Sequence, residues 1–256
     1  MKTIEIFYSD YCNPSETLRC ESPPMDVDFK MLAEYYSSLG EKHKKNFDKF
    51  LEYWSNEGFE KLFHPAARAM TMPLAVAIEN FGSELLQTNE SVDEVCMFVW
   101  TIGDQLETTA SRIMSDKSEM MTAFLLDVAG SIALYDMHDV LLGWLKSDKA
   151  ANKNKYINGE YYPGMGSMRQ DLMEKVAALG ATEDIIGVGA SGSSLLHPRK
   201  SQCSFIALGA AEHEVVVKSQ PCEPCLGKRC LYHQLGGCHM MHSQFESFEE
   251  TVNGAR

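Results

Sequence analysis

The chain has 256 residues, of which 45% are hydrophobic, and it carries a formal net charge of -13. This length and composition are typical of a globular protein with a large buried core. The negative charge argues against nucleic-acid binding, which depends on a basic surface that neutralises phosphates. An acidic face would instead favour association with a basic partner.

No membrane segment or export signal is expected from the pattern of apolar residues. The N-terminal run MKTIEIFYSDYCN is interrupted by Glu5, Ser9 and Asp10, unlike the continuous apolar region of a secretory signal. The most apolar later segment, residues 120–145, carries three aspartates and is not an uninterrupted membrane span. We therefore expect a cytoplasmic protein whose cysteines are in a reducing compartment.

Residues 1–90 are predicted to form a helical N-terminal region. After the Pro- and Asp-rich run ESPPMDVD, apolar residues recur at helical spacing in FKMLAEYYSSLG and again in EKHKKNFDKFLEYWSNEG. The aromatic stripe of the second helix, which includes Phe47, Phe50 and Trp54, is expected to face the core.

Residues 91–218 are predicted to form an α+β core, and residues 219–256 a Cys-rich tail. The run VCMFVWTIG is rich in β-formers and predicts a buried strand. Two helices follow, in DQLETTASRIMSD and at about 118–146, and then a polar connector, KSDKAANKNK. Beyond it the patterns predict a helix in SMRQDLMEKVAALG and strands in SFIALGA and HEVVVK.

The tail contains four cysteines in a C-x2-C-x4-C-x7-C pattern: Cys222, Cys225, Cys230 and Cys238. Four thiolates fit an iron-sulfur cluster, such as a 4Fe-4S cluster, or a structural zinc ion. The irregular spacing favours a cluster, because zinc ribbons usually repeat C-x2-C twice. Free or redox-active thiols, and a mixed site that uses nearby histidines, remain alternatives. A reducing compartment makes disulfides the least favoured reading.

Neither a phosphate-binding motif nor the motif of a catalytic serine is complete in the run GVGASGSS. The run GVGASGSS matches G-x-G-x-x-G, but no helical pattern follows it and the GK[ST] of a P-loop is missing, so a turn is expected. The G-x-S-x-G nucleophile elbow is also missing from this run.

Several separate runs beginning at Val95 carry a family resemblance. They are FVWTIGDQLETTASRIM, AFLLDVAGSIALYDMHDVL, YYPGMG and SGSSLLHPRKSQCSFIALG, followed by CEPCLGKRCLY. In this order, over about 140 residues, they resemble the activation-domain family of cobalamin-dependent methionine synthase, including stand-alone members with a C-x2-C-x4-C-x-Y tail. The first ninety residues match only loosely. The order of several motifs is more specific than any one of them.

The resemblance implies a fold of helices packed on a mainly antiparallel sheet. It also implies a function, since the family's domain binds S-adenosylmethionine and closes over an oxidised corrinoid. An electron from flavodoxin and a methyl group from the sulfonium then restore methylcobalamin. This chain is too short for a complete methyltransferase. Because Leu141 replaces the glycine of the cobalt-binding D-x-H-x-x-G motif, His138 is not expected to bind cobalt.

The family's S-adenosylmethionine turn has the form R-x-x-P-G-Y, and this chain reads EYYPGM there. The resemblance assigns cofactor binding to this turn, with Pro163 and Gly164 retained and Tyr162 before them. Glu160 stands at the arginine position and Met165 at the tyrosine position. An arginine fork suits a ligand carboxylate, whereas Glu160 is expected to repel it.

The run HPRKS keeps the family's P-R-K-S pattern and adds Arg199 and Lys200 as candidate binding residues. Their charges suit an anionic ligand, a corrinoid side chain or a cluster, and the alternative is a solvated turn.

Three functional hypotheses remain open. The first is a reactivation component, associated with a methyltransferase, that acts on a corrinoid protein or corrinoid methyltransferase with a flavodoxin- or ferredoxin-type reductant. The second is an iron-sulfur electron-transfer protein that keeps the fold without S-adenosylmethionine chemistry. The third is a zinc-stapled binding module.

Overall fold

The centre of the computed structural model, which describes residues 2–82, 91–164, 168–192 and 195–211, is a six-stranded mixed sheet. Its strands are β1 Glu5–Asp10, β2 Leu18–Glu21, β3 Ala66–Pro73, β4 Val92–Thr101, β5 Tyr156–Tyr161 and β8 Ser201–Gly209. The spatial order is β2-β1-β3-β4-β8-β5, in which β1 and β3 run parallel and the other neighbours run antiparallel. The predicted α+β class with a mainly antiparallel sheet is confirmed.

Helices cover both faces of this sheet. They are α1 Lys30–Ser38, α2 Glu41–Glu57, α3 Phe59–Leu62, α4 Leu74–Phe81, α5 Gln105–Met114, α6 Met120–Ser147, α7 Lys149–Asn152, α8 Leu172–Gly180 and α9 Thr182–Ile186. The short strands β6 Gly189–Ala190 and β7 Leu196–His197 form a separate hairpin. The predicted helices that correspond to α1, α2, α5, α6 and α8 are confirmed.

Strand β4 is buried on both faces, which explains its continuous apolar sequence. Successive side chains of a strand point to opposite sides of the sheet. Phe98 and Trp100 therefore join the core formed with α1, α2, α5 and α6, whereas Met97 and Val99 join the core formed with α4 and α8. The sheet thus separates two hydrophobic cores.

Helix α6 is the central helix of the larger core. By length and composition it matches a membrane span, with a mean hydropathy of 1.3 in its most apolar window, yet 61% of that window is buried inside the protein. Gly130 lets a neighbouring helix approach closely, since a Cβ there would lie 3.0 Å from the Leu106 side chain of α5. Helix α6 therefore packs as a core helix.

Two features of the fold were not predicted. Residues 1–82 contribute three strands to the central sheet in addition to their helices. The polar connector contains the short helix α7, after which Lys153 and Asn154 have positive φ angles of 50° and 63°. The predicted strand HEVVVK lies outside the described residues.

Arg68 explains why β3 is hard to recognise, because a charged residue rarely occupies a central strand. Its side chain is 2% exposed and donates hydrogen bonds to four groups. Nε reaches the Gly180 carbonyl at 3.0 Å, and Nη1 reaches the Phe7 and Ala69 carbonyls at 2.8 and 2.9 Å. Nη2 reaches the Ser9 hydroxyl at 2.6 Å. The guanidinium therefore joins β1 and β3 to the end of α8.

We expect Arg68→Lys to lower the free energy of unfolding by about 2–3 kcal/mol, because one ammonium cannot reach carbonyls in three elements at once. Urea denaturation followed by circular dichroism measures this change. Arg19→Lys is the matched control, since the Arg19 side chain is 62% exposed and pairs with Glu5 at the surface. The control should cost less than about 1 kcal/mol. Equal losses in the two variants would contradict the assigned role of Arg68.

Candidate functional site

The turn that follows β5 depends on Gly164. This residue has a φ of +83°, and its N–H donates a hydrogen bond of 3.0 Å to the Met168 carbonyl. Such a φ is accessible to glycine and strained for residues with a Cβ. Pro163 fixes the preceding backbone angle, as is usual in turns. The Pro163-Gly164 pair is thus accounted for by backbone geometry, while Met165 lies outside the described residues.

Glu160 points into the protein against α6 and is 6% exposed. The Nε2 atom of His138 lies 2.8 and 2.9 Å from its two carboxylate oxygens. The hydroxyl oxygen of Tyr162 lies 3.0 Å from the same Nε2. The three side chains therefore form a buried cluster, which we call the His138 cluster, directly behind the turn.

The His138 cluster holds a charged pair. Burial alone would lower the pKa of His138, but the carboxylates of Glu160 and Asp139 raise it to about 9. Burial alone would raise the pKa of Glu160, but the charge and the hydrogen bond of His138 hold it below its ordinary value. At neutral pH an imidazolium therefore faces a carboxylate inside the core.

Arg199 and Lys200 have different environments. Lys200 is 8% exposed, and its Nζ lies 2.9 Å from the Ser131 hydroxyl and 3.0 Å from an Asp127 carboxylate oxygen. Arg199 is exposed, and its Nε lies 3.9 Å from a carboxylate oxygen of Glu107. Lys200 thus fastens α6 to the start of β8, whereas Arg199 remains open to solvent.

A cleft of about 780 Å³ opens between α5 and the segment from α9 to β7. Its walls include Glu107 and Ser111 of α5, Glu183 of α9, and Arg199, but neither Glu160 nor Lys200. Of the predicted binding residues, Arg199 therefore lines this cleft, whereas Glu160 and Lys200 do not.

The predicted metal ligands, Cys222, Cys225, Cys230 and Cys238, lie outside the described residues. Within 2–82, 91–164, 168–192 and 195–211, no three His, Cys, Asp or Glu side chains form a group that could hold a metal ion. Cys96 is fully buried, as expected for a small apolar residue, and burial raises the pKa of its thiol.

Comparison with known proteins gives a distant likeness of fold. Neither a protein-family model nor a curated protein matches the chain. The chain is similar to a solved crystal structure of the MetH reactivation domain bound to AdoHcy, with 12% identity and a TM-score of 0.48. The alignment covers 85% of this chain and 83% of that chain.

The partners of Glu160 and Lys200 were missed by the sequence analysis, although a signal for them exists. Asp127, Ser131 and His138 are separated by four and seven residues. At about 100° per residue they lie within about 40° of one another on the helix circumference. A polar stripe on an otherwise apolar helix predicts polar partners across the interface.

We expect the His138 cluster to make stability depend on pH. The raised pKa of His138 gives a stabilisation that is complete below its unfolded value of 6.5 and is lost as pH rises through about 9. The lowered pKa of Glu160 gives a stabilisation that is present above 4.5 and is lost as pH falls below it. The histidine contribution is about 3 kcal/mol.

Urea denaturation between pH 6 and pH 10 measures this dependence. The matched control is the double variant His138→Gln with Glu160→Gln, whose amides can hydrogen-bond without titrating. The control should lose the decline that wild type shows between pH 6.5 and about 9. The same slope in both proteins would show that the decline arises elsewhere.

Proposed function

We propose that this chain is a reactivation component that acts on a corrinoid protein or corrinoid methyltransferase. The observation that carries the proposal is spatial. The runs that resemble activation domains fall on β4, α6, the turn after β5, and β8. These elements adjoin one another, since β8 pairs with both β4 and β5 while α6 contacts β5 through His138 and the start of β8 through Lys200.

The proposed chemistry couples an unfavourable step to a favourable one. One electron reduces cob(II)alamin to cob(I)alamin, and transfer of the sulfonium methyl group of S-adenosylmethionine then gives methylcobalamin and S-adenosylhomocysteine. Methylation removes the reduced corrinoid from the first equilibrium. This chain would bind the methyl donor at the Tyr162–Gly164 turn, and a flavodoxin- or ferredoxin-type partner would supply the electron.

The described residues near the turn are compatible with such a donor. The backbone at Gly164 is fixed by its hydrogen bond to Met168 and can approach a ligand without a side chain in the way. The negative charge of Glu160 is balanced by His138 inside the core, so it does not face a ligand as an isolated anion. A net charge of -13 also suits a ligand with a cationic sulfonium.

We expect Gly164→Ala to weaken S-adenosylmethionine binding by about tenfold, because alanine is strained at a φ of +83° and shifts the turn. Calorimetry measures binding. A second assay measures methylcobalamin formed from a cob(II)alamin-loaded corrinoid protein with a chemical reductant, and the yield should fall in parallel.

Gly143→Ala is the matched control for this experiment. Gly143 lies within α6, and a Cβ added there would meet nothing within 4 Å. Because alanine favours helix, this variant should fold at least as stably as wild type and bind the donor equally well. The proposal fails if wild-type protein neither binds S-adenosylmethionine nor promotes methylcobalamin formation.

An iron-sulfur electron-transfer function is the second proposal, and the donor set of the tail favours it. Four thiolates within seventeen residues, Cys222 to Cys238, suit a cluster, with zinc as the alternative metal. In this case the tail would relay electrons on the same fold without a methyl donor. A zinc ion there would instead make the tail a structural staple for a binding module.

We expect anaerobically purified protein to contain iron and sulfide, and Cys225→Ser to lose most of both. Metal binding and local folding are linked, so the variant should also be cleaved faster in the tail by a protease. Elemental analysis and visible absorbance measure the cluster. Cys12→Ser is the control, since Cys12 is an exposed free thiol at the other end of the chain. Zinc without iron would exclude the electron-transfer function, and unchanged metal in Cys225→Ser would exclude this cysteine as a ligand.

A further inference from the structure

The cations around the proposed ligand turn are already paired with carboxylates of the protein. On the core side, His138 lies 2.8 Å from Glu160. Beyond the turn, Arg169 pairs with Asp171. A free carboxylate brought to the turn would therefore compete with an existing ion pair for each of these two cations.

The cations of the HPRK run follow the same pattern. Lys200 lies 3.0 Å from Asp127, and Arg199 lies 3.9 Å from Glu107. The Lys200 pair is the more costly to disturb, because Lys200 is 8% exposed and separating a buried pair leaves an uncompensated charge. A ligand carboxylate would therefore gain little at Lys200, and the exposed Arg199 lines a cleft whose walls do not include the Tyr162–Gly164 turn.

Position 160 excludes a carboxylate in a second way. The Glu160 side chain occupies the space between α6 and β5, where both of its oxygens lie within 2.9 Å of the imidazole Nε2. The imidazolium of His138 is the cation of the cluster that could attract a ligand carboxylate. Its Nε2 atom is already paired with the carboxylate of Glu160. His138 fixes this arrangement by binding both Glu160 and Tyr162.

We propose that the Tyr162–Gly164 turn selects an adenosyl sulfonium ligand without using the ligand's α-carboxylate, and that His138 is the positioning residue that sets this specificity. This inference rests on the proposed function, because it takes the turn as the methyl-donor site. It narrows the ligand class to molecules recognised through their adenosyl and sulfonium groups. Decarboxylated S-adenosylmethionine, which keeps both groups, is therefore a competent ligand.

The test compares two probes on the full-length wild-type protein. Calorimetry gives the Kd of S-adenosylmethionine and of decarboxylated S-adenosylmethionine in the same buffer. We expect the two values to agree within about fivefold. A hydrogen-bonded ion pair to a carboxylate usually contributes more than about tenfold. Tighter binding of S-adenosylmethionine by more than about fivefold overturns the inference and leaves the proposed function standing. Binding of neither probe overturns both.

Variants of the His138 cluster test the positioning role. His138→Gln leaves Glu160 buried without its cation, so we expect the affinity for both probes to fall by the same factor, about tenfold or more. Adding Glu160→Gln removes the stranded charge and should restore both affinities to within about threefold of wild type. Restored stability without restored binding would show that the cluster supports the fold but does not position the turn.

Tyr162→Phe provides a milder variant that keeps the ring and removes the hydroxyl that lies 3.0 Å from His138. We expect it to weaken both probes equally while the protein remains folded. A selective loss of S-adenosylmethionine would mean that the hydroxyl contacts the ligand's carboxylate, and this result would overturn the inference.

Discussion

The buried ion pair between His138 and Glu160 is the contact on which the arrangement of the candidate site depends. Moving two charges into a core is costly, and their attraction compensates only when the geometry is good and further hydrogen bonds satisfy the remaining atoms. Here the geometry is good, since His138 approaches both oxygens of Glu160 and the Tyr162 hydroxyl lies 3.0 Å from the same imidazole nitrogen. The pair fixes one register of α6 against β5. A shift of the helix by one residue would separate the charges.

A second polar contact on the same face of α6 gives the helix its other fixed point. Lys200 reaches Ser131 and Asp127, which lie about two and three turns of helix away from His138. The apolar residues of α6 are largely buried and pack without strong directionality, so they define its depth better than its rotation. The two polar contacts fix the rotation of α6 about its axis. As a result, β5, the turn after it and the start of β8 are held in one arrangement relative to α6.

Local sequence patterns were sufficient to predict an element when that element buries a regular series of apolar side chains. The aromatic spacing of α2 and the β-rich run of β4 are of this kind, and both elements were predicted close to their observed bounds. The strand β3 was not predicted, because its buried Arg68 is satisfied by carbonyls of β1 and α8 that are remote in sequence. The partner of Glu160 was missed for the same reason. Polar residues in a core are explained by tertiary contacts, which a local pattern does not contain.

The difference at Glu160 from the activation-domain turn that this run resembles has a physical meaning in this arrangement. Read from sequence alone, a glutamate in place of an arginine reverses the charge presented to a ligand. In the folded chain, the same glutamate is buried beside His138, and the charge at the site is close to neutral. Compared with an arginine at this position, Glu160 therefore offers no attraction to a carboxylate, and because it is paired with His138 it does not present an isolated negative charge either. In the proposed site, ligands would be distinguished by shape and by contact with the backbone at Gly164, whose φ of +83° is accessible to glycine.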